Sequence, residues 1–378
     1  MLTGISALLD AVATVTKYNR EAVLATLVKI EGSSYRQPGA RMLVPIYGAS
    51  IGTISGGCLE SEVAKKAWWL TDRAEAVVRR YSTDAQDDDD DSAQTFGLGC
   101  NGTVHVMLQR HSAKKPLPAF ELLHLVRRSG RPGVLASVIA CQQNASIRVG
   151  DQWLLHPDHS GRARLLDSTL DDQVQADLTD TLSHGRSILR VYSTSQGEVE
   201  IFHEYIAPQQ RLVIFGAGHD AQPLVHMAKL LDWHVTVIDG RTHFARSDRF
   251  PNADAVLQVD ARPPYTLHRL TDHALVAVMT HSYSQDRHWL EGLLQGNPTY
   301  IGQLGPRART ERLLAEICTS TAKLSALKNF HYPMGLDIGG ETPESVALAI
   351  LAEMTAVLSQ RSGGMLKYRK TDIHISIE

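Results

Sequence analysis

Two of the four cysteines directly follow glycine-rich turns. Cys58 sits in Ser55-Gly56-Gly57-Cys58-Leu59-Glu60, and Cys100 in Gly97-Leu98-Gly99-Cys100-Asn101-Gly102. Val63, Ala64, Ala67, Trp68 and Leu70 then recur at a helical spacing, which puts Cys58 near a helix N-terminus. A thiol there ionises more readily because the helix dipole favours the thiolate. Such a thiolate can ligate a soft metal or carry sulfur as a persulfide. A buried structural thiol is the competing reading for each. Cys141, in a strand-like stretch, and Cys318, in a helical one, read as structural.

A second constellation lies further on. Arg211-Leu212-Val213-Ile214-Phe215 reads as a strand and runs into Gly216-Ala217-Gly218-His219-Asp220-Ala221, which is GxGxxA. Gly216 permits the tight turn, Gly218 lets backbone approach a phosphate, and Ala221 lets the following helix pack close. His219, in the first helical turn, can donate to a bound phosphate or simply cap the loop. Asp239 ends the next strand, 21 residues beyond Gly218, where an acid would accept from a ribose hydroxyl. That acid disfavours a 2′-phosphate, so a nicotinamide cofactor here would be NAD. Arg307, Arg309 and Arg312 open a later helix, either as a phosphate clamp or as a solvated basic face. His156-Pro157-Asp158-His159 has no second ligand group at metal spacing and reads as a loop. No catalytic pair and no metal site are assigned.

The elements that position these residues fall into two parts, making an α/β chain. Residues 1–205 form an N-terminal mixed α/β domain: a helix over 3–18, strands over 22–30, 41–46, 50–54, 76–81 and 103–109, and a weakly patterned stretch over 116–205. Asp87 to Asp91 read as a solvated loop. Residues 206–378 alternate strand and helix, with strands at 211–215, 234–238, 255–258, 274–279 and 300–301. That alternation predicts a Rossmann-like parallel sheet covered by helices. Thr342-Pro343-Glu344-Ser345 supplies an N-cap, a first-turn proline and an early acid for a last helix, whose apolar stripe runs from Ala347 to Leu358.

Composition narrows the setting. The 378 residues carry 38 Lys plus Arg against 41 Asp plus Glu, a net charge of −3. That balance offers no broad attraction for nucleic acid or an anionic membrane. The most hydrophobic stretch, Val346 to Leu358, is interrupted by Glu353 and too short to span a bilayer, and the first residues lack the basic flank of a signal peptide. Sparse cysteines without a CxxC pair point to a cytoplasmic protein.

The chain resembles the XdhC/CoxI family, accessory and maturation proteins of xanthine dehydrogenase and carbon monoxide dehydrogenase. The resemblance rests on Glu31-Gly32-Ser33-Ser34 through Pro38-Gly39-Ala40-Arg41-Met42, on the Cys58 and Cys100 motifs, and on Phe215-Gly216-Ala217-Gly218-His219. It continues through Thr280-His281 and Tyr300-Ile301-Gly302 to Pro333-Met334-Gly335-Leu336-Asp337-Ile338-Gly339. It departs at Asn101, where many members have Gly, and in the acidic run before Cys100. The resemblance implies a chaperone for molybdenum cofactor (molybdopterin) and not a dehydrogenase. Such a protein shields the cofactor during sulfuration by a cysteine desulfurase and delivers it to a xanthine dehydrogenase-type molybdoenzyme. It further implies that Cys58 and Cys100 sit at the cofactor or sulfur site, and Gly216, Gly218 and His219 at a phosphate. The alternative, carried by the glycine turn and Asp239, is an NAD-dependent oxidoreductase. A shielded handover favours a homodimer, since two-fold dimers are the commonest soluble oligomers.

Overall fold

The first helix, α1 (Ile5–Lys17), buries Leu8, Leu9, Val12 and Val15, one stripe of a 3.6-residue period. Strand β1 (Glu21–Gly32) follows, and its buried run from Ala22 to Val28 explains the unbroken apolar sequence. Ala22 and Leu24 pack toward α1, whereas Val23, Ala25 and Leu27 pack on the opposite face, so both faces of the strand are covered. In this computed structural model the described residues are 4–57, 59–82, 94–95, 102–142, 147–158, 168–259, 267–317 and 327–370.

The chain divides into two compact units, one running to Pro208 and one starting at Gln209. The first unit continues with β2 (Arg41–Pro45), β3 (Ile51–Gly52), α2 (Glu60–Leu70), β4 (Val77–Ser82), β5 (Gln94–Thr95) and β6 (Gly102–Ser112). These strands form a six-stranded sheet in the order β3-β2-β1-β6-β4-β5, antiparallel except for β4 with β5. The weakly patterned stretch resolves into α3 (Pro118–Ser129), β7 (Gly133–Cys141), β8 (Gln152–Leu155), α4 (Ser168–His184), β9 (Ile188–Thr194) and β10 (Gly197–Ile206). Its four strands make a second antiparallel sheet, β8-β7-β10-β9. Val28 and Met107 of the first sheet share a buried cluster with Ile139 and Phe202 of the second.

The second unit is a doubly wound sheet. Its elements are β11 (Arg211–Phe215), α5 (Ala221–Leu230), β12 (His234–Asp239), β13 (Ala255–Gln258), α6 (Leu267–Thr271), β14 (Leu275–Val278), α7 (Tyr283–Leu293), β15 (Tyr300–Gln303), α8 (Arg307–Glu316), β16 (Phe330–His331) and α9 (Pro343–Leu358). All six strands are parallel, in the order β13-β12-β11-β14-β15-β16. That is the 3-2-1-4-5-6 order of nucleotide-binding sheets, reversing between β11 and β14. Leu212 and Ile214 pack with α5 and α9 on one face, and Val213 and Phe215 with α7 on the other. The two-residue β16 is an element the sequence reading does not include. The last helix starts as expected: Thr342 Oγ1 accepts from the Ser345 N–H at 3.3 Å, and Ser345 Oγ accepts from the Thr342 N–H at 2.9 Å. No helix among the described residues is long and apolar enough to cross a membrane.

Candidate functional site

The N-terminal motifs, far apart in sequence, meet at one place in the first unit. β1 and β6 pair so that Gly32 faces Gly102, the last residue of the Cys100 motif. A Cβ at Gly102 would stand 2.1 Å from the Ser33 carbonyl oxygen, so only glycine allows this approach. A Cβ at Gly56, in the Cys58 motif, would lie 3.6 Å from the exposed Tyr35 ring. Gly56 and Gly102, one from each cysteine motif, therefore both lie beside the Ser33–Tyr35 segment. Cys58, Cys100 and Asn101 themselves lie outside the described residues, as does Cys318.

Glu60 holds the first of these loops. Its carboxylate accepts from the Ile54 N–H at 3.1 Å, the Ser55 N–H at 2.8 Å, the Ser55 hydroxyl at 2.6 Å, and the Thr53 hydroxyl. Ser55 Oγ in turn accepts from the Gly57 N–H at 3.3 Å and the Leu59 N–H at 3.2 Å. Burial alone would raise the Glu60 pKa, but the hydrogen bonds from Ser55 and Thr53 outweigh it and hold the carboxyl at about 2. An ionised glutamate thus clamps both sides of the turn at neutral pH.

The remaining cysteine and the histidine cluster have structural partners. Cys141 ends β7, donates to the Ile147 carbonyl at 3.6 Å, and is pushed up in pKa by burial. His156 is buried, 3.0 Å from Ser129 Oγ, and its Nδ1 accepts from the Asp158 N–H at 3.1 Å. His159 lies outside the described residues.

In the second unit the glycine turn joins β11 to α5 at the point where the strand order reverses. Gly216 has φ +113, and a Cβ there would sit 2.4 Å from the Met279 carbonyl oxygen. A Cβ at Gly218 would sit 2.4 Å from Asp220 Oδ1. His219 is exposed at this turn. Asp239 ends β12 with a fully buried side chain whose acceptors are taken internally. Oδ2 accepts from the Ala217 N–H and an Arg241 guanidinium N–H, both at 2.9 Å. Oδ1 accepts from the Arg241 N–H at 2.9 Å and from Arg241 Nε at 3.0 Å. Burial raises its pKa, but these bonds win and lower it. A carboxylate has about four acceptor sites. A ribose hydroxyl at Asp239 would have to displace one of these donors.

Side chains with no role in the sequence reading stand beside the glycine turn. His281, in the loop after β14, has φ +59, and its Nε2 lies 2.7 Å from Asp220 Oδ2. Behind it, buried Asp286 accepts from the Thr280 hydroxyl at 2.5 Å, from Gln303 Nε2 at 3.0 Å and from Arg309 at 2.6 Å. Of the three arginines of α8, Arg307 and Arg312 are exposed, as on a solvated face, whereas Arg309 is half-buried. Arg309 pairs with Asp286, Arg312 lies 4.8 Å over the Tyr283 ring, and Arg307 lies 5.3 Å over Tyr332. Thr280-His281 gave the only sequence signal for the pair with Asp220, which is 61 residues away from His281.

Comparisons with known proteins meet this geometry at both units. Residues 15–82 match the family described as XdhC and CoxI, and residues 212–354 match the XdhC Rossmann domain. A protein of Bacillus subtilis (strain 168) named as a probable xanthine dehydrogenase subunit is 32% identical over 334 residues, 88% of this chain and 92% of that one. The chain belongs to the XdhC/CoxI family. A more distant family relative is the molybdenum cofactor insertion chaperone PaoD of Escherichia coli (strain K12), 23% identical over 339 residues, 89% of this chain and 83% of PaoD. A crystal structure from Bacillus halodurans, described as a xanthine dehydrogenase, superposes with a TM-score of 0.71 at 27% identity, covering 95% of this chain and 97% of that one. The family's Rossmann domain accounts for the doubly wound second unit.

Proposed function

We propose that this chain is a maturation factor that binds molybdenum cofactor and hands it to a xanthine dehydrogenase-type molybdoenzyme. In this reading a cysteine desulfurase supplies sulfur while the cofactor is bound. The likeness to a cofactor insertion chaperone along most of both chains supports the class of function. The observation that supports the site is the approach of Gly56 and Gly102, one from each cysteine motif, to the Ser33–Tyr35 segment.

Each residue has a stated part. Cys58 and Cys100 supply soft sulfur ligands or sulfur carriers at the molybdenum end of the cargo. Glu60 and Ser55 fix the backbone on both sides of Cys58. In the Rossmann unit, Gly216, Gly218 and His219 form a separate candidate contact for a phosphate-bearing ligand. Asp239 holds that turn through Ala217 and fixes Arg241, so a ribose finds no free acceptor on it. The cargo must be kept from water during transfer, and we propose a homodimer in the cytoplasm as the working form.

One observation favours the NAD-dependent oxidoreductase instead: His281 and Asp220 form an oriented histidine–carboxylate pair beside the glycine turn. Hydride transfer from NADH at enzymatic rates would establish that reading.

The main reading is tested by co-expressing a xanthine dehydrogenase-type client with Cys58→Ser, Cys100→Ser and the double variant. Serine keeps the size but is a hard, poorly ionised ligand. Client protein should accumulate normally yet gain far less activity, in proportion to its cofactor content. Full client activity with the double variant would contradict a chemical role for the cysteines.

A further inference from the structure

A cavity of about 330 Å³ opens in the first unit, lined among others by Arg36, Arg41, Thr53 and Glu204. It is roughly ten times the ~30 Å³ share of one water molecule, room for a polyatomic ligand. Arg41 is 7% exposed and grips Glu204 with two guanidinium nitrogens, at 2.7 and 2.5 Å, while also donating to the Gly39 carbonyl at 2.9 Å. A Cβ at Gly39 would stand 2.8 Å from Glu204 Oε1, so glycine at this position makes room for the pair. The charges of Arg41 and Glu204 offset one another.

Arg36 is different. Its half-buried side chain makes no hydrogen bond or ion pair among the described residues, and its Nε is buried without a partner. Arg41 Nε is likewise buried and unpartnered. A buried donor with no acceptor is costly, and a guanidinium cannot shed its charge to escape that cost. The cavity therefore presents space and, in Arg36, a guanidinium with no anionic partner among the described residues. A guanidinium fork matches the oxygens of phosphate-like anions.

We propose that this cavity binds a tetrahedral oxyanion through Arg36, with the Arg41–Glu204 pair as its fixed wall. The site adjoins the Cys58 motif. Thr53, which lines it, donates to Glu60 of that motif, and a Cβ at Gly56 would lie 3.6 Å from the ring of Tyr35, the neighbour of Arg36. The oxyanion is either the phosphate monoester of the proposed cofactor or a free phosphate. Only the first source rests on the cofactor reading.

The full chain is labelled with phenylglyoxal, with and without inorganic phosphate, and Arg36 modification is read by peptide mass. Phosphate at four times its Kd should slow labelling of Arg36 about fivefold by mass action, leaving exposed Arg73 unaffected. In parallel, molybdenum cofactor is titrated into wild type, Arg36→Ala, Arg36→Lys and Gly218→Val, with melting temperatures as the fold control. If the source is the cofactor's phosphate, Arg36→Ala weakens cofactor binding about ten- to a hundredfold, Arg36→Lys recovers part of it, and the variant at Gly218 loses less than Arg36→Ala. Phosphate protection of Arg36 with cofactor affinity unchanged in Arg36→Ala identifies a free oxyanion. Protection without any cofactor binding by wild type would end the chaperone reading and leave the oxyanion site standing. The proposal is overturned if phosphate does not protect Arg36 and Arg36→Ala binds cofactor as wild type does.

Discussion

Glu60 accepts four hydrogen bonds from three consecutive residues, Thr53 to Ser55, and so ties the backbone on one side of Cys58 to the start of α2 on the other. Its carboxyl is held at about 2 in the folded chain against an ordinary 4.5. A depressed carboxyl pKa stabilises the fold fully above the unfolded value, and that stabilisation fades as pH falls from about 4.5 through about 2. Glu60→Gln should therefore cost about 1–3 kcal/mol at pH 7, the range for a hydrogen bond to a charged group. The gap to wild type should narrow as urea titrations move from pH 5 toward pH 2. A gap that does not change with pH would contradict the clamp. Glu60 closes the Cys58 motif in sequence, yet its role was not legible there, because its donors come from a turn whose shape only folding defines. The pairing of Asp220 with His281 was hidden for a similar reason: it needs β11 and β14 to lie side by side. Asp239 was legible as the acid ending the second Rossmann strand, whereas its capture by Arg241, two residues on, was not.

At the scale of elements, the Rossmann half was readable almost strand by strand, because parallel strands buried on both faces give continuous apolar runs between helical periods. The stretch 116–205 was not. Its sheet is antiparallel, and β9 has the mixed exposure of an edge strand, with Val191 open to solvent. β16, two residues long, has no periodicity to detect. The meeting of β1 with β6 was also invisible in sequence, yet it sets Gly102, the end of the Cys100 motif, against Ser33. Gly102→Ala tests it, since the new methyl would collide with the Ser33 carbonyl, which is backbone and cannot swing aside. Overpacking of this kind costs about 1–3 kcal/mol. Gly57→Ala is the control: φ is +114 there but nothing lies within 4 Å, so backbone strain of about 1–3 kcal/mol is expected without any collision. Hydrogen exchange should quicken at the end of the β1–β6 ladder in the variant at Gly102 and not in the one at Gly57. Equal behaviour of the two variants would remove the argument that this close approach fixes the end of the Cys100 motif.

For the whole molecule, the family matches fall on both compact units, and likeness to a cofactor insertion chaperone extends over most of the chain. A near-neutral net charge of −3 offers no broad electrostatic attraction for a polyanion. The central claim is that the chain carries molybdenum cofactor as cargo, with its thiols at the molybdenum. The most direct measurement is native mass spectrometry of the full chain titrated with the isolated cofactor under reducing, anaerobic conditions. The account predicts one cofactor per chain with a Kd of about 1 µM or tighter, near −8 kcal/mol, and loss of that complex in the Cys58→Ser, Cys100→Ser double variant. A chain that stays free of cofactor throughout the titration, or a double variant that binds it as tightly as wild type, would contradict the claim.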